Sequence, residues 1–390
     1  MSLPLDHLRL IDLTRFRSGP NAVRQLSDMG AEVVQITPPP GTGGGAVFGA
    51  RGFDYQNVQR NKRSLQLNLQ DPRGVEVLRR LAAQADILVE NFRPGVTARL
   101  GIDYPTLQPL NPRLIYGSIS GFGQEGPYRN RPGYDQVAQG MGGLMSITGA
   151  PGGGPMRVGI PIADLTAGLY LAQGILVALV ERERSGQGQW VTTSLLQAMV
   201  NMLDFQATRW LIDGEVPPQA GNDHPTTMPT GVFRTADGHI NIAAATQPQW
   251  RKLCAAIGAD DLIEDDRFAK PPGRSQHRVA LHEELDRRTE AFPSEQLIEQ
   301  LNAAGVPAGP ILDVSEVFAD PQVRALPTTA TVEHPELGQL ELLGLPVQLS
   351  RTPGAVRTPA PDPGAHTDTI LDELGYTPSE ITDLHDAGIV

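Results

Sequence analysis

Apolar and polar positions alternate in one set of segments and recur every three or four residues in another. Leu8-Arg-Leu-Ile-Asp-Leu13 alternates and predicts a strand, ended by the turn residues Ser18-Gly19-Pro20. Asn21–Met29 then places Val23 and Leu26 at helical spacing, with Gly30 as its stop. Glu32-Val-Val-Gln-Ile36 is a second strand, closed by Pro38-Pro39-Pro40. Strand, helix and strand in close succession form a βαβ unit, which favours a parallel sheet. Leu65-Gln-Leu-Asn-Leu69, Ala85-Asp-Ile-Leu-Val-Glu90 and Leu114-Ile-Tyr-Gly-Ser-Ile-Ser120 extend the series of strands. Between them Asp71-Pro-Arg-Gly opens a helix through Leu81, with Asp as cap and Pro in the first turn.

Two helical segments follow, Asp164 to about Arg184 and Ser194 to about Leu211, separated by a turn and short strand at Gly186-Gln-Gly-Gln-Trp-Val-Thr-Thr193. The polar, Pro-rich stretch from Asp213 to Thr230 reads as a linker. Beyond it, 231–242 predicts a hairpin turning at Asp237-Gly238. Short helices are expected over 249–257, 277–289 and 294–304, and final ones over 366–374 and 378–385. The pattern describes an α/β chain. A large domain over 1–212 and 330–390 is expected, with a smaller α+β domain and its linkers over 213–329.

Composition narrows the picture. A chain of 390 residues exceeds what one core of ~250–300 residues accommodates, consistent with two domains. A net charge of −12 argues against a nucleic-acid surface, while leaving room for local basic clusters. The single cysteine, Cys254, excludes an internal disulfide and a Cys-based zinc cluster. His224, His239, His334 and His366 have no metal-ligand spacing, so no metal is expected. The longest apolar run, Leu169 to Val180, is interrupted by Gln173 and Gly174 and is too short to span a bilayer. No signal-peptide layout opens the chain. A cytoplasmic protein without membrane partners is the expectation.

Candidate chemistry starts at Asp164, where a Pro-bearing apolar run enters a long small-residue segment. An aspartate there is either a helix cap or a carboxylate nucleophile beside small residues that leave room for substrate. Arg60-Asn-Lys-Arg-Ser64 is the densest basic segment, readable as solvated surface or as an anion contact. Asn91-Phe-Arg-Pro-Gly95 sits at a strand's carboxyl end, where open parallel sheets bind ligands. Gly41-Thr-Gly-Gly-Gly45 lacks the Lys and Ser/Thr of a P-loop.

Several blocks together resemble the family III CoA-transferases, the group that includes formyl-CoA transferase, carnitine CoA-transferase and α-methylacyl-CoA racemase. They are Asp12-Leu-Thr with Ser18-Gly-Pro20, Asp28-Met-Gly-Ala31, Asn61-Lys-Arg-Ser64, Glu90-Asn-Phe-Arg-Pro-Gly95, Asn111-Pro-Arg-Leu114, Gly121-Phe-Gly123, Ala163-Asp164 and Gly186-Gln-Gly188. Asp237-Gly238, Ala304-Gly-Val-Pro-Ala-Gly-Pro310 and Gly364-Ala-His-Thr-Asp368 continue the likeness through the second half. The resemblance implies a Rossmann-like large domain with a smaller domain, in an interlocked homodimer of two ring-like chains threaded through each other. It implies acyl-CoA as co-substrate, small carboxylic acids as partners and no permanently bound cofactor. By the same resemblance Asp164 is the nucleophile. Arg17, Ser18, Leu67, Asn68, Leu69, Gln70, Asn91, Phe92, Arg93 and Arg99 fall on CoA contacts, and Tyr134 and Asp135 on the loop at the thioester end. Thr37 and Pro38 stand where relatives often carry Glu and a basic residue, so one adenine or phosphate contact is missing or supplied elsewhere.

The implied reaction moves CoA from an acyl thioester to a free acid through an aspartyl anhydride and an aspartyl-CoA thioester. Backbone N–H groups of Gly140–Gly143 or Gly152–Gly154 are candidates for the oxyanion. Family racemases read Gly-His-Asp where this chain reads Gly133-Tyr134-Asp135, and phenols ordinarily ionise near pH ~10, too high for a general base at neutrality. They also tend to carry Glu where Thr246-Gln247-Pro248 stands. A racemase-type enzyme and a non-catalytic CoA-binding protein are the alternatives; a dinucleotide enzyme is disfavoured because Ser18-Gly19-Pro20 lacks the Gly-rich fingerprint. Short dicarboxylic acids are the expected acceptors, with Arg157 and Arg234 as candidates to hold a second carboxylate.

Overall fold

Leu10 and Ile11, Val33 and Val34, and Leu88 and Val89 are sequence neighbours that enter different cores, and all six are buried. Successive strand residues face opposite sides, so a sheet covered on both faces reads as continuous apolar runs. The structure is a computed structural model that describes residues 2–41, 49 and 51–390; most of the Gly41–Gly45 loop lies outside the described residues. Strands β1 (Arg9–Asp12), β2 (Glu32–Thr37), β3 (Arg63–Gln66), β4 (Ile87–Glu90), β5 (Ile115–Ser120) and β6 (Trp190–Ser194) pair in parallel. Their order is β3-β2-β1-β4-β5-β6. The chain reverses its direction of travel between β1 and β4, and a doubly wound sheet binds ligands at the strand carboxyl ends there. The third strand ends earlier than its alternation predicts: Leu67 and Leu69 pack inward past the last ladder pair.

Small residues set how the helices cover one face. The Ser18–Asp28 helix crosses the Ile162–Ser185 helix at Gly168, where a Cβ would lie 2.7 Å from the Ser18 carbonyl oxygen. The Asn21 side-chain amide donates to the Leu165 carbonyl at 3.1 Å across the same crossing. By length and composition the 24-residue Ile162–Ser185 helix could cross a bilayer, and half of its apolar stretch is buried inside the protein. The other face carries Pro72–Gln84, started by Asp71 accepting the Arg73 N–H, together with the late helices Thr367–Glu373 and Pro378–Asp386. The helix expected over 194–211 is two, Leu195–Met202 and Phe205–Asp213, broken where Asp204 takes a left-handed φ of 47°.

The basic segment at 60–64 is neither a solvated surface nor a free anion site. Arg60 grips Asp28 with two nitrogens, at 3.1 and 2.7 Å, and Asn61 donates to the same carboxylate at 2.8 Å. Asn61 also donates to the Ala355 carbonyl and accepts the N–H groups of Arg357 and Thr358. Lys62 and Asp12 are both 0% exposed and pair at 2.8 Å; burial lowers the lysine's pKa against the pull of Asp12. Arg63, at the rim, pairs with Glu32 and Glu373. These charges fasten the sheet to the last part of the chain.

Two compact units result. One comprises Met1–Leu144, Val158–Ala207 and Ala325–Val390, including the antiparallel hairpin Thr329–His334 and Gly338–Leu343; the other comprises Met145–Arg157 and Thr208–Arg324. The second has a three-stranded antiparallel sheet of Thr230–Arg234, His239–Ala243 and Ala308–Pro310. Helices pack on it around Phe233, Trp250, Phe268 and Leu281, and Cys254 is buried among them.

Candidate active site

Two cavities of the first unit lie at the carboxyl ends of its strands. One, of about 130 Å³, is lined by Ser18, Asn91, Phe92, Arg93, Tyr134 and Asp164 with their neighbours. The other, of about 250 Å³, is lined by Arg15, Thr37, Phe92 and the run Leu67, Asn68, Leu69 and Gln70. Phe92 is common to both. Ten of the thirteen residues that the resemblance implies as nucleophile or CoA contacts therefore line one cavity or the other. Asp135 stands directly behind Asp164, Arg17 is ion-paired with Asp54, and the exposed Arg99 lines neither cavity.

Asp164 lies in the first turn of its helix but does not cap it; its side chain makes no capping hydrogen bond. That role belongs to Asp135, whose Oδ1 accepts the Ala163 N–H at 2.8 Å and lies 3.4 Å from the Asp164 nitrogen. The Gln139 amide holds the other oxygen of Asp135 at 2.7 Å. Supplying the cap from another helix leaves the Asp164 carboxylate unspent at a positive helix end. Burial, then the neighbouring charge of Asp135, raise the Asp164 pKa to about 7, while Arg17 opposes them.

The walls are fixed by close approach and by one side-chain clamp. Gly121, after β5, and Gly133, before Tyr134, meet so closely that a Cβ on Gly133 would lie 2.7 Å from the Gly121 Cα. Asn91 grips the loop after β1 at both polar groups of one residue: its oxygen accepts the Arg15 N–H at 2.8 Å and its amide donates to the Arg15 carbonyl at 2.7 Å. The next residue, Phe16, holds a left-handed φ of 63° and meets Tyr134 edge to face at 5.8 Å. Such a conformation in a bulky residue costs about 1–3 kcal/mol and persists only where its surroundings enforce it. Glu90 accepts the Phe92 N–H at 2.8 Å, and burial raises its pKa to about 7.

Sequence reasoning missed Arg15, Phe16 and Glu90, although the first two abut a recognised turn and Glu90 heads a recognised block. Two sets of candidates already have partners. The N–H groups of Gly142 and Gly143 donate to the Ala138 and Gly140 carbonyls, so they are spent inside the turn ending the Asp135–Met141 helix. Arg234 is already ion-paired with Asp286 and Glu290, through Nε and one terminal nitrogen. Gly152–Gly154 and Arg157 lie in the second unit. Among the described residues no group of three or more His, Cys, Asp or Glu side chains is arranged to hold a metal ion.

Comparison with known proteins decides the family. The model of CoA-transferase family III matches residues 5–367. This chain belongs to CoA-transferase family III. The succinate–glutarate CoA-transferase of Agrobacterium fabrum is 37% identical over 382 residues, covering 95% of this chain and 96% of the relative. The human succinyl-CoA:glutarate CoA-transferase is 35% identical over 393 residues, covering 99% and 90%. Among solved structures, a CAIB/BAIF family protein from Brucella suis superposes with a TM-score of 0.83 at 37% identity, covering 96% of this chain and all of the other. The central parallel sheet agrees with that fold.

Proposed function

We propose that this family III CoA-transferase moves CoA between the thioesters of short dicarboxylic acids, with Asp164 as the covalent nucleophile. The observation that carries the reading is the Asp164 carboxylate, left unspent in the cavity because Asp135 caps its helix. The names of the relatives, which pair succinate with glutarate, supply the substrate class.

In this reading an Asp164 oxygen attacks the thioester carbonyl; the C–S bond breaks, CoA leaves as thiolate and an aspartyl–acyl anhydride remains. The thiolate then attacks the aspartyl carbonyl, the anhydride C–O bond breaks, and the donor acid departs as carboxylate. The resulting aspartyl-CoA thioester is attacked by the acceptor carboxylate, giving a second anhydride and thiolate. Attack of that thiolate on the acceptor's acyl carbon yields the new thioester and frees Asp164. The anhydrides lie uphill, and binding of the remote CoA moiety supplies energy to offset them. A raised pKa makes the ionised Asp164 a more basic, and so stronger, attacking group.

The thioester end lies beside Asp164, Tyr134 and Asp135, and the chain of CoA runs over Asn91, Phe92 and Arg93, with Ser18 and Arg17 at the first loop. Its nucleotide end occupies the cavity of Leu67, Asn68, Leu69 and Gln70, with the exposed Arg99 beside it. The apolar face formed by Leu169, Leu176, Val177 and Val180 on the Ile162–Ser185 helix is exposed in a single chain. A second copy covers it in the proposed interlocked homodimer, and light scattering is expected to give twice the chain mass. The cytoplasm is the proposed compartment, fitting a lone, buried cysteine.

The test is intact-mass analysis with peptide mapping after incubation with succinyl-CoA. A CoA thioester on Asp164, absent from Asp164→Ala, is the expected result. Acid exchange that survives in Asp164→Ala would sink the mechanism.

A further inference from the structure

We propose that Arg15 is the residue by which this chain recognises the phosphate on the non-reacting, nucleotide end of its thioester substrate. The inference rests on the reading above, which places the thioester at Asp164 and runs the rest of the molecule past Phe92.

The cavity beyond Phe92 has an uncommon lining for so acidic a chain. Acidic residues outnumber basic ones 44 to 32 overall, yet among the described residues the lining has Arg15 as its one cation and no carboxylate. Its walls are apolar, from Leu13, Ile36, Leu67 and Leu100, with the carboxamide residues Asn68 and Gln70 among them. That combination accepts a flat base between apolar walls and an anion at one end. The Arg15 guanidinium lies over the Phe92 ring, 5.6 Å from its centroid, and among the described residues no carboxylate pairs with it. A guanidinium so placed keeps its fork of donors for a phosphate, which it binds through two hydrogen bonds at once.

Two further features indicate a site built for a ligand. The Thr37 hydroxyl is buried without a hydrogen-bond partner among the described residues, and such a group is stabilised when a ligand completes it. Neither Thr37 nor Pro38 brings a charge to the end of β2, so the cation comes instead from the loop after the neighbouring β1. That loop is held before any ligand arrives, because Asn91 clamps Arg15 at both its N–H and its carbonyl. Holding the backbone in advance lowers the ordering cost of binding.

CoA carries a 3′-phosphate on its adenosine and dephospho-CoA lacks it, so one pair of substrates isolates the contact. Steady-state kinetics with succinyl-CoA and succinyl-dephospho-CoA would be measured for the wild type, Arg15→Ala, Arg15→Lys and Arg99→Ala. The wild type is expected to prefer the phosphorylated thioester in kcat/KM by roughly ten- to a hundredfold, the range for a charge-assisted hydrogen-bond pair. Arg15→Ala should abolish that preference by lowering kcat/KM for succinyl-CoA alone, leaving kcat/KM for succinyl-dephospho-CoA as in the wild type. Arg15→Lys, which keeps a charge but loses the fork, should recover part of it. An equal fall in kcat/KM for both thioesters in Arg15→Ala would overturn the proposal, as would loss of the preference in Arg99→Ala but not in Arg15→Ala. If the wild type shows no calorimetric binding of CoA at all, the reading on which the proposal rests fails first.

Discussion

Replacing Asp164 by Asn should make the protein more stable while abolishing transfer. Burial and Asp135 raise the carboxyl from its ordinary 3.8 to about 7, so the folded state disfavours the ionised form. The sign follows from linkage: below the unfolded value the group is protonated in both states and costs nothing. Between the two values the unfolded chain releases a proton that the folded chain keeps, and stability falls as pH rises. Above about 7 the cost is complete. At ~1.4 kcal/mol for each pH unit between the two values, its ceiling is about 4 kcal/mol. Asn has nearly the same shape and no charge, so urea unfolding of the ligand-free protein should show Asp164→Asn ahead by about 2–4 kcal/mol at pH 8. The advantage should shrink to about 1 kcal/mol at pH 4.5. Glu90, also raised to about 7, is present in both proteins and cancels in the difference. No gain at pH 8, or the same gain at both pH values, would refute the reasoning.

Because attack needs the ionised carboxylate, kcat/KM for succinyl-CoA should rise with pH through about 7 and level off above it. Asp135→Asn keeps an acceptor for the Ala163 N–H but removes the charge that helps raise Asp164, so the acid limb should move to lower pH; an unmoved limb contradicts that electrostatic account. Lys62→Met strands the Asp12 carboxylate in the core and should cost about 3–5 kcal/mol in denaturant titration. Gly133→Ala forces a methyl against Gly121, so a loss of about 1–3 kcal/mol in stability is expected. The same displacement at the wall carrying Tyr134 should lower kcat/KM by roughly a hundredfold.

What could be read directly from the residues is what is encoded locally. The succession of strand, helix and strand over 8–36 announced a parallel sheet, and Asp71-Pro72 and Asp237-Gly238 announced a helix start and a hairpin turn. Asp164 was legible as a residue of interest but not as one relieved of capping. Its cap comes from Asp135, 28 residues from Ala163, and no local pattern records that bond. The basic run at 60–63 misled for the same reason: the partners of Arg60 and Lys62 are Asp28 and Asp12, on other elements. Arg15 carries no motif of its own; only the clamp from Asn91 and the cavity beneath it give it meaning.

The bonds from Asn61 to Arg357 and Thr358 bear on how the protein is made. These residues are separated by 296 and 297 positions, and Asp28 shares the same cluster. A ribosome adding ~5–20 residues per second needs about 15–60 s to cover that distance. Throughout this interval the first three strands exist without the segment that satisfies Asn61 and covers their edge. The 208–324 stretch, complete in between, is free to fold earlier than the sheet that precedes it. Until then the nascent sheet waits with Asn61 unsatisfied and an edge open, the kind of exposed surface that chaperones protect.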